Sequence, residues 1–95
     1  MIEVFRLSKK ANKLKIGTTQ VLKSIKKAKV IILAKDYSNK YKIFQIARKL
    51  NKDVFVLDLS KKELGEIFNR DEIGILSIND EQLYKLFLKK RGVAI

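Results

Sequence analysis

Val30-Ile31-Ile32-Leu33-Ala34, followed at once by Lys35-Asp36, decides the architecture of this 95-residue chain. A short continuous run of mainly branched apolar residues reads as a strand buried on both faces. Such a strand belongs in a sheet covered by helices on each side. Outward from it, helices and strands alternate. Asp36-Tyr37-Ser38-Asn39 offers turn and cap chemistry. A helix follows, with Ile43, Phe44, Ile46, Ala47 and Leu50 expected to face inward and Asn51 as its stop. Val54-Phe55-Val56-Leu57 reads as the next strand. Ser60-Lys61-Lys62-Glu63 is a capping box, in which the serine oxygen accepts the third N–H and the glutamate bonds back to the serine N–H. It opens a short helix with Leu64, Ile67 and Phe68 inward. Ile73–Ile78 is a further strand, and Asn79 or Asp80 caps a last helix with Leu83, Leu86 and Phe87 buried. Residues Arg91–Ile95 are expected to fray.

Towards the N-terminus, Val4, Leu7, Ala11 and Leu14 recur at three- and four-residue steps, one apolar stripe on a first helix of about ten residues. Gly17 breaks that pattern. Thr18 is a candidate cap for a second helix, whose apolar positions are Val21, Leu22, Ile25 and Ala28. The order α-(short β)-α-β-α-β-α-β-α predicts a single α/β domain over residues 1–95, a three-layer α-β-α sandwich around a small mixed, largely parallel sheet of about four strands. Phe5, Phe44, Phe55, Phe68 and Phe87 are expected in its core. With no proline in the chain, Gly17, Asn51, Asn69 and Gly92 must serve as stops.

Charge is distributed unevenly. The chain has 22 Lys+Arg against 10 Asp+Glu, a net +12. Residues 1–50 hold fourteen basic residues and two acids, Glu3 and Asp36, whereas residues 51–95 hold eight of each sign. The whole excess lies in one half, which points to a polyanionic partner through phosphate neutralisation and steering. A lysine-rich composition that merely maintains solubility does not explain a one-sided excess.

That same half contains Gly17-Thr18-Thr19-Gln20-Val21-Leu22-Lys23. A helix start leaves backbone N–H groups without partners and favours anions. Threonine and glutamine side chains there can pair with base edges or sugars, and Lys23 lies one turn on. Lys13 and Lys15 flank the glycine and, with Lys26, are candidate phosphate contacts. Tyr37 and Tyr41 stand among Lys35, Lys40 and Lys42, where a base could stack on either ring.

The absence of cysteine and histidine removes thiolate chemistry, the commonest neutral-pH base and the usual zinc ligands, so no metal or cofactor is expected. The longest apolar run, Val30–Ala34, is far short of a membrane span, and Met1–Arg6 lacks a signal-peptide core. The chain is expected to be cytoplasmic, soluble and by default a monomer, without a membrane partner.

The ordered set of Leu7–Gly17 running into Thr18-Thr19-Gln20-Val21-Leu22-Lys23, then Ala34-Lys35-Asp36 after a strand, then Ser60-Lys61-Lys62-Glu63-Leu64-Gly65, resembles the kink-turn-binding ribosomal-protein family. That family comprises archaeal and eukaryotic large-subunit proteins and small bacterial paralogues, of which the YlxQ-like branch is most similar. The resemblance spans residues 4–87. It implies a non-catalytic α/β/α domain that binds structured RNA, a ribosomal RNA motif or another kink-turn-like element, with the ribosome as a partner. By resemblance, Gly17 gives close backbone approach, Thr19 and Gln20 contact base edges of tandem G·A pairs, and Lys23 meets a base edge or phosphate. Lys61 matches a lysine near the RNA backbone. The loop Asn69-Arg70-Asp71-Glu72-Ile73 matches one that covers an extruded nucleotide, which makes Arg70 a contact candidate. Thr19 stands where the archaeal pattern has asparagine, and a hydroxyl cannot match an amide edge bidentately.

Two other readings stand beside this one. The first is a basic ribosome-associated or assembly factor that contacts RNA without motif choice. The second is a metal-dependent phosphoryl-transfer enzyme, with Asp36 and Asp58 following strands at the carboxyl edge of the sheet. The chain offers it neither a phosphate-cradling glycine loop nor a clear nucleophile.

Overall fold

The apolar run lies at the centre of the sheet. In the computed structural model, which describes residues 1–92, the elements are α1 (Ile2–Lys10), β1 (Leu14–Ile16), α2 (Thr18–Lys23), a 3-10 turn (Ile25–Lys27), β2 (Val30–Leu33), α3 (Lys40–Lys49), β3 (Asp53–Val56), α4 (Lys61–Ile67), β4 (Ile75–Ile78) and α5 (Glu81–Gly92). The order of helices and strands is the expected one. The four strands lie in the order β1-β4-β2-β3. Strand β2 pairs in parallel with β3, while β4 pairs antiparallel with both β2 and β1. Three strands therefore share one direction. The sheet is mixed, as expected, but the reversed β4 sits between β1 and β2 and makes two of the three pairings antiparallel. Pairing direction is a non-local property that the apolarity of a run does not encode.

Side-chain alternation sends each central strand into two cores. Val30 and Ile32 of β2 join Leu76 and Ile78 of β4 on one face of the sheet, and Ile31 and Leu33 join Ile75 on the other. Helices α1, α4 and α5 cover the first face with Val4, Phe5, Leu64, Leu83 and Phe87, together with Phe68 just past α4. Ring centroids lie 6.3 Å apart for Phe5 and Phe68, 6.2 Å for Phe5 and Phe87, and 5.6 Å for Phe55 and Phe87. Burying each such side chain contributes about 1.5–3 kcal/mol. Helices α2 and α3 cover the second face with Val21, Ile43 and Ala47, and Tyr37 joins them from the β2–α3 loop.

Without proline, three helices end alike. Asn12, Asn51 and Asn69 follow the last turns of α1, α3 and α4 with φ of 60°, 58° and 55°. Asparagine tolerates this left-handed conformation better than other residues with a Cβ. At each, the next residue's N–H reaches six residues' span back to a carbonyl: Lys13 to Ser8 (2.8 Å), Lys52 to Ala47 (2.8 Å) and Arg70 to Gly65 (2.9 Å). This is the Schellman closure. The capping box at Ser60 forms as read, with Glu63 N–H donating to Ser60 Oγ at 3.1 Å and Ser60 N–H donating to Glu63 Oε1 at 2.9 Å. The Ser60 N–H, and then its hydroxyl, hold the Glu63 carboxyl below its ordinary pKa.

Several expectations need correcting. The inward stripe of α1 is Val4, Phe5 and Ser8, and Leu7 is 48% exposed. Ser8 satisfies its buried hydroxyl by donating to the Val4 carbonyl at 2.7 Å. Leu14 belongs to β1, because Asn12 stops the helix before it. Helix α2 ends at Lys23: the Ser24 hydroxyl donates to the Gln20 carbonyl at 2.9 Å, and the chain tightens into the 3-10 turn. Phe44, on the side of α3 that borders the open edge strand β3, and Leu50, which ends the helix as its C-cap, are half exposed rather than inward. Asp80, not Asn79, caps α5, accepting the Leu83 N–H at 3.0 Å, while Asn79 accepts the Ser77 hydroxyl. Helix α5 continues through Gly92, into the stretch expected to fray, and residues 93–95 of that stretch lie outside the described residues.

Candidate nucleic-acid interface

Gly17 ends β1 and caps α2 with φ 91° and ψ 155°. Its N–H donates to the Ile75 carbonyl and its carbonyl accepts the Val21 N–H, both at 3.0 Å. A Cβ at this position would meet nothing within 4 Å, so conformation, not space, requires glycine, and its outer side is open. The N–H groups of Thr18, Thr19 and Gln20 precede the first intrahelical donor and find no backbone acceptor among the described residues.

Thr18 is not the cap. It is the first helical residue, and its hydroxyl is 2.9 Å from the Tyr37 hydroxyl. Tyr37 is 9% exposed and passes over Gly74, where a Cβ would sit 2.5 Å from the ring. Gly74 thus admits the ring that braces the start of α2. Sequence reasoning missed both Tyr37's bracing role and the purpose of Gly74, although a glycine at the edge of a strand pattern signals close approach.

Thr19, Gln20 and Lys23 are exposed. Gln20 borders a concavity of about 500 Å³ with Lys9, Asn12, Lys15 and Arg70, over Leu14 and Ile16. No acid lines it. The α4–β4 loop is therefore brought to the β1–α2 turn, uniting Lys15, Gln20 and Arg70. Lys9, read from the sequence only as outward-facing, joins them; its ammonium lies 5.6 Å from the Phe68 ring centroid, a cation–π placement. Lys23 and Lys26 border a separate hollow at the far end of α2, lined also by Leu22, Ile25 and Lys27. Lys13, just before β1, is exposed and borders neither concavity, its backbone carbonyl taken by the Asn79 N–H. Lys61 opens α4, and its stem approaches Gly74 on the Tyr37 side.

Of the two carboxylates of the enzyme reading, one has a structural duty and the other is fully exposed. Asp36 accepts the Lys61 N–H at 2.7 Å, capping a helix 25 residues on, and Asp58 lies 3.8 Å from the Lys35 ammonium. Among the described residues, no helix is long and apolar enough to cross a membrane.

No individual curated protein matches the sequence. Among solved structures, a protein of unknown function from Bacillus halodurans is similar at 21% identity, with 86% of each chain covered and a TM-score of 0.77, a likeness of fold. The model of one family matches residues 1–87, across every element that frames the Gly17 turn and its basic concavity, and the chain belongs to the ribosomal protein L7Ae/L30e/S12e/Gadd45 family.

Proposed function

We propose that this chain is a non-catalytic RNA-binding protein that reads a kink-turn or related ribosomal RNA motif through the start of α2. Family membership supports a ribosomal-protein-like, RNA-binding role. One observation carries the finer reading: Gln20 shares an acid-free concavity with Lys9, Lys15 and Arg70, next to the open side of Gly17. Phosphates would lie against Lys9, Lys13, Lys15 and Arg70. Thr19 and Gln20 would meet base edges, with Lys23 one turn behind and Lys61 at the flank of the turn. Tyr37 would hold the helix start in place through Thr18. A cytoplasmic, ribosome-associated setting and kinship with the YlxQ-like branch fit this reading.

The test compares a kink-turn RNA with a plain duplex of equal length at physiological salt. The kink-turn should bind more tightly. Gln20→Ala should remove about 1–3 kcal/mol of that difference, the scale of a base-edge contact. Lys26→Gln should weaken both RNAs alike, and log affinity should fall by about 0.7–0.9 per phosphate neutralised for each unit of log salt. Equal affinity for both RNAs would leave only a general basic ribosome-associated factor.

A further inference from the structure

A second aromatic and basic surface borders a concavity that shares no residue with the one at the α2 start. On α3, Tyr41, Phe44 and Arg48 stand at steps of three and four residues, so they form one stripe. Tyr41 is 75% exposed and Phe44 42%, and neither ring has an aromatic partner among the described residues. Phe44 and Arg48 border a concavity of about 420 Å³ with Ala47, Lys52, Asp53 and Val54, above the open edge of β3.

We propose that this stripe is a stacking platform for unpaired RNA nucleotides, with Tyr41 and Phe44 carrying bases and Arg48 and Lys52 neutralising the phosphates between them. The inference goes beyond the reading of the α2 start and does not depend on it. Exposed rings alone would suit a protein partner. Charge selects the polyanion: α3 carries Lys40, Lys42, Arg48 and Lys49 and no acid. The acid on the rim, Asp53, accepts the Tyr84 hydroxyl from α5, on the opposite side of the sheet. Lys52 is anchored by donating to the Lys26 carbonyl at 2.8 Å, which ties the end of α3 to the turn after α2. Rings that meet water within a field of fixed cations are what single-stranded nucleic acid binds, because every base has a π-face and every linkage a charge.

The test uses the full chain and a labelled, unstructured oligouridylate of about ten nucleotides, a length that one small stacking surface can engage. The double variant Tyr41→Ala/Phe44→Ala should bind it about tenfold more weakly or worse, with an unchanged circular dichroism spectrum. Tyr41→Phe keeps the ring and should stay within about twofold of the parent. Arg48→Gln should reduce the salt slope by about 0.7, one single-strand phosphate. The proposal is overturned if the parent does not bind the oligonucleotide, if the double alanine variant binds as the parent does, or if Tyr41→Phe loses as much as Tyr41→Ala. It is also overturned if the double variant abolishes self-association and leaves RNA binding intact, which would make the stripe a contact between copies. A chain that treats kink-turn and duplex alike yet loses oligouridylate with the rings would sink the earlier reading and leave this one standing.

Discussion

The two faces of the sheet are built to different standards. On one, α1, α4 and α5 seal Phe5, Phe68 and Phe87 into an aromatic core, and Glu3, Glu63, Glu66 and Glu81 interrupt their basic residues. On the other, α2 is six residues long with Val21 as its buried residue, and α3 buries Ile43 and Ala47 while leaving Tyr41 and Phe44 in solvent. Between Thr18 and Lys52 the chain has ten basic residues and one acid, Asp36, which is occupied as a helix cap. Burial is concentrated on the first face, and that frees the second to carry unbalanced charge and exposed rings. A sheet whose central strands are buried on both sides holds the two together.

The contrast can be broken most decisively at a pair of phenylalanines. Phe87→Ala, in the aromatic core, should cost about 3–5 kcal/mol in urea unfolding. Phe44→Ala, half exposed on the cationic face, should cost about 1 kcal/mol. Comparable losses would mean that stability is shared evenly between the faces. Glycines give the next comparison. A Cβ on Gly65 in α4 would lie 2.7 Å from the Arg70 carbonyl oxygen and 2.9 Å from that of Asp71. Gly65→Ala should therefore cost about 1–3 kcal/mol as overpacking. Gly17→Ala meets no atom and should cost about 1–3 kcal/mol through its backbone conformation alone. RNA affinity should fall with Gly17→Ala at temperatures where that variant is folded.

Smaller effects sharpen the picture. Asn51→Ala on α3 and Asn69→Ala on α4 remove the same left-handed cap from opposite faces, and each should cost about 1 kcal/mol. Unequal losses would show that the face, not the cap, sets the cost. Ser60→Ala should cost about 1 kcal/mol by opening the capping box. Because the Glu63 carboxyl is held below its ordinary pKa, its contribution is present above about pH 4.3 and disappears as acid titrates it in the folded state. The parent's unfolding midpoint should therefore drop more steeply below about pH 4 than that of the serine variant.

Local chemistry explains what the sequence revealed of this fold. The Val30–Ala34 run, the Ser60 capping box and the glycine at residue 17 each state their structure within a few residues, and each formed as read. The element order followed from them. What stayed hidden depended on partners distant in sequence. The position of β4 between β1 and β2, the Tyr37 hydroxyl on Thr18, and the Asp36 cap on Lys61 span 19 residues or more. The exposure of Phe44 follows from α3 lying over an edge strand, and strand order cannot be read from one strand's composition. At the candidate site, the Gly17 turn and the exposed first turn carrying Thr19 and Gln20 were legible because a helix start is local. The meeting of Lys9, Lys15 and Arg70 around Gln20 was not, because it takes α1, β1 and the α4–β4 loop to build it.

Helix α2 is moored by buried Val21 and half-buried Leu22, closed at its front by a hydroxyl pair and at its back by a serine. So few moorings make it a local opening unit: its amides should exchange with deuterated solvent long before those of β2 and β4, and without melting the rest of the molecule. A ligand that clamps this segment would then be felt as slowed exchange across six residues, even where no atom of the framework moves.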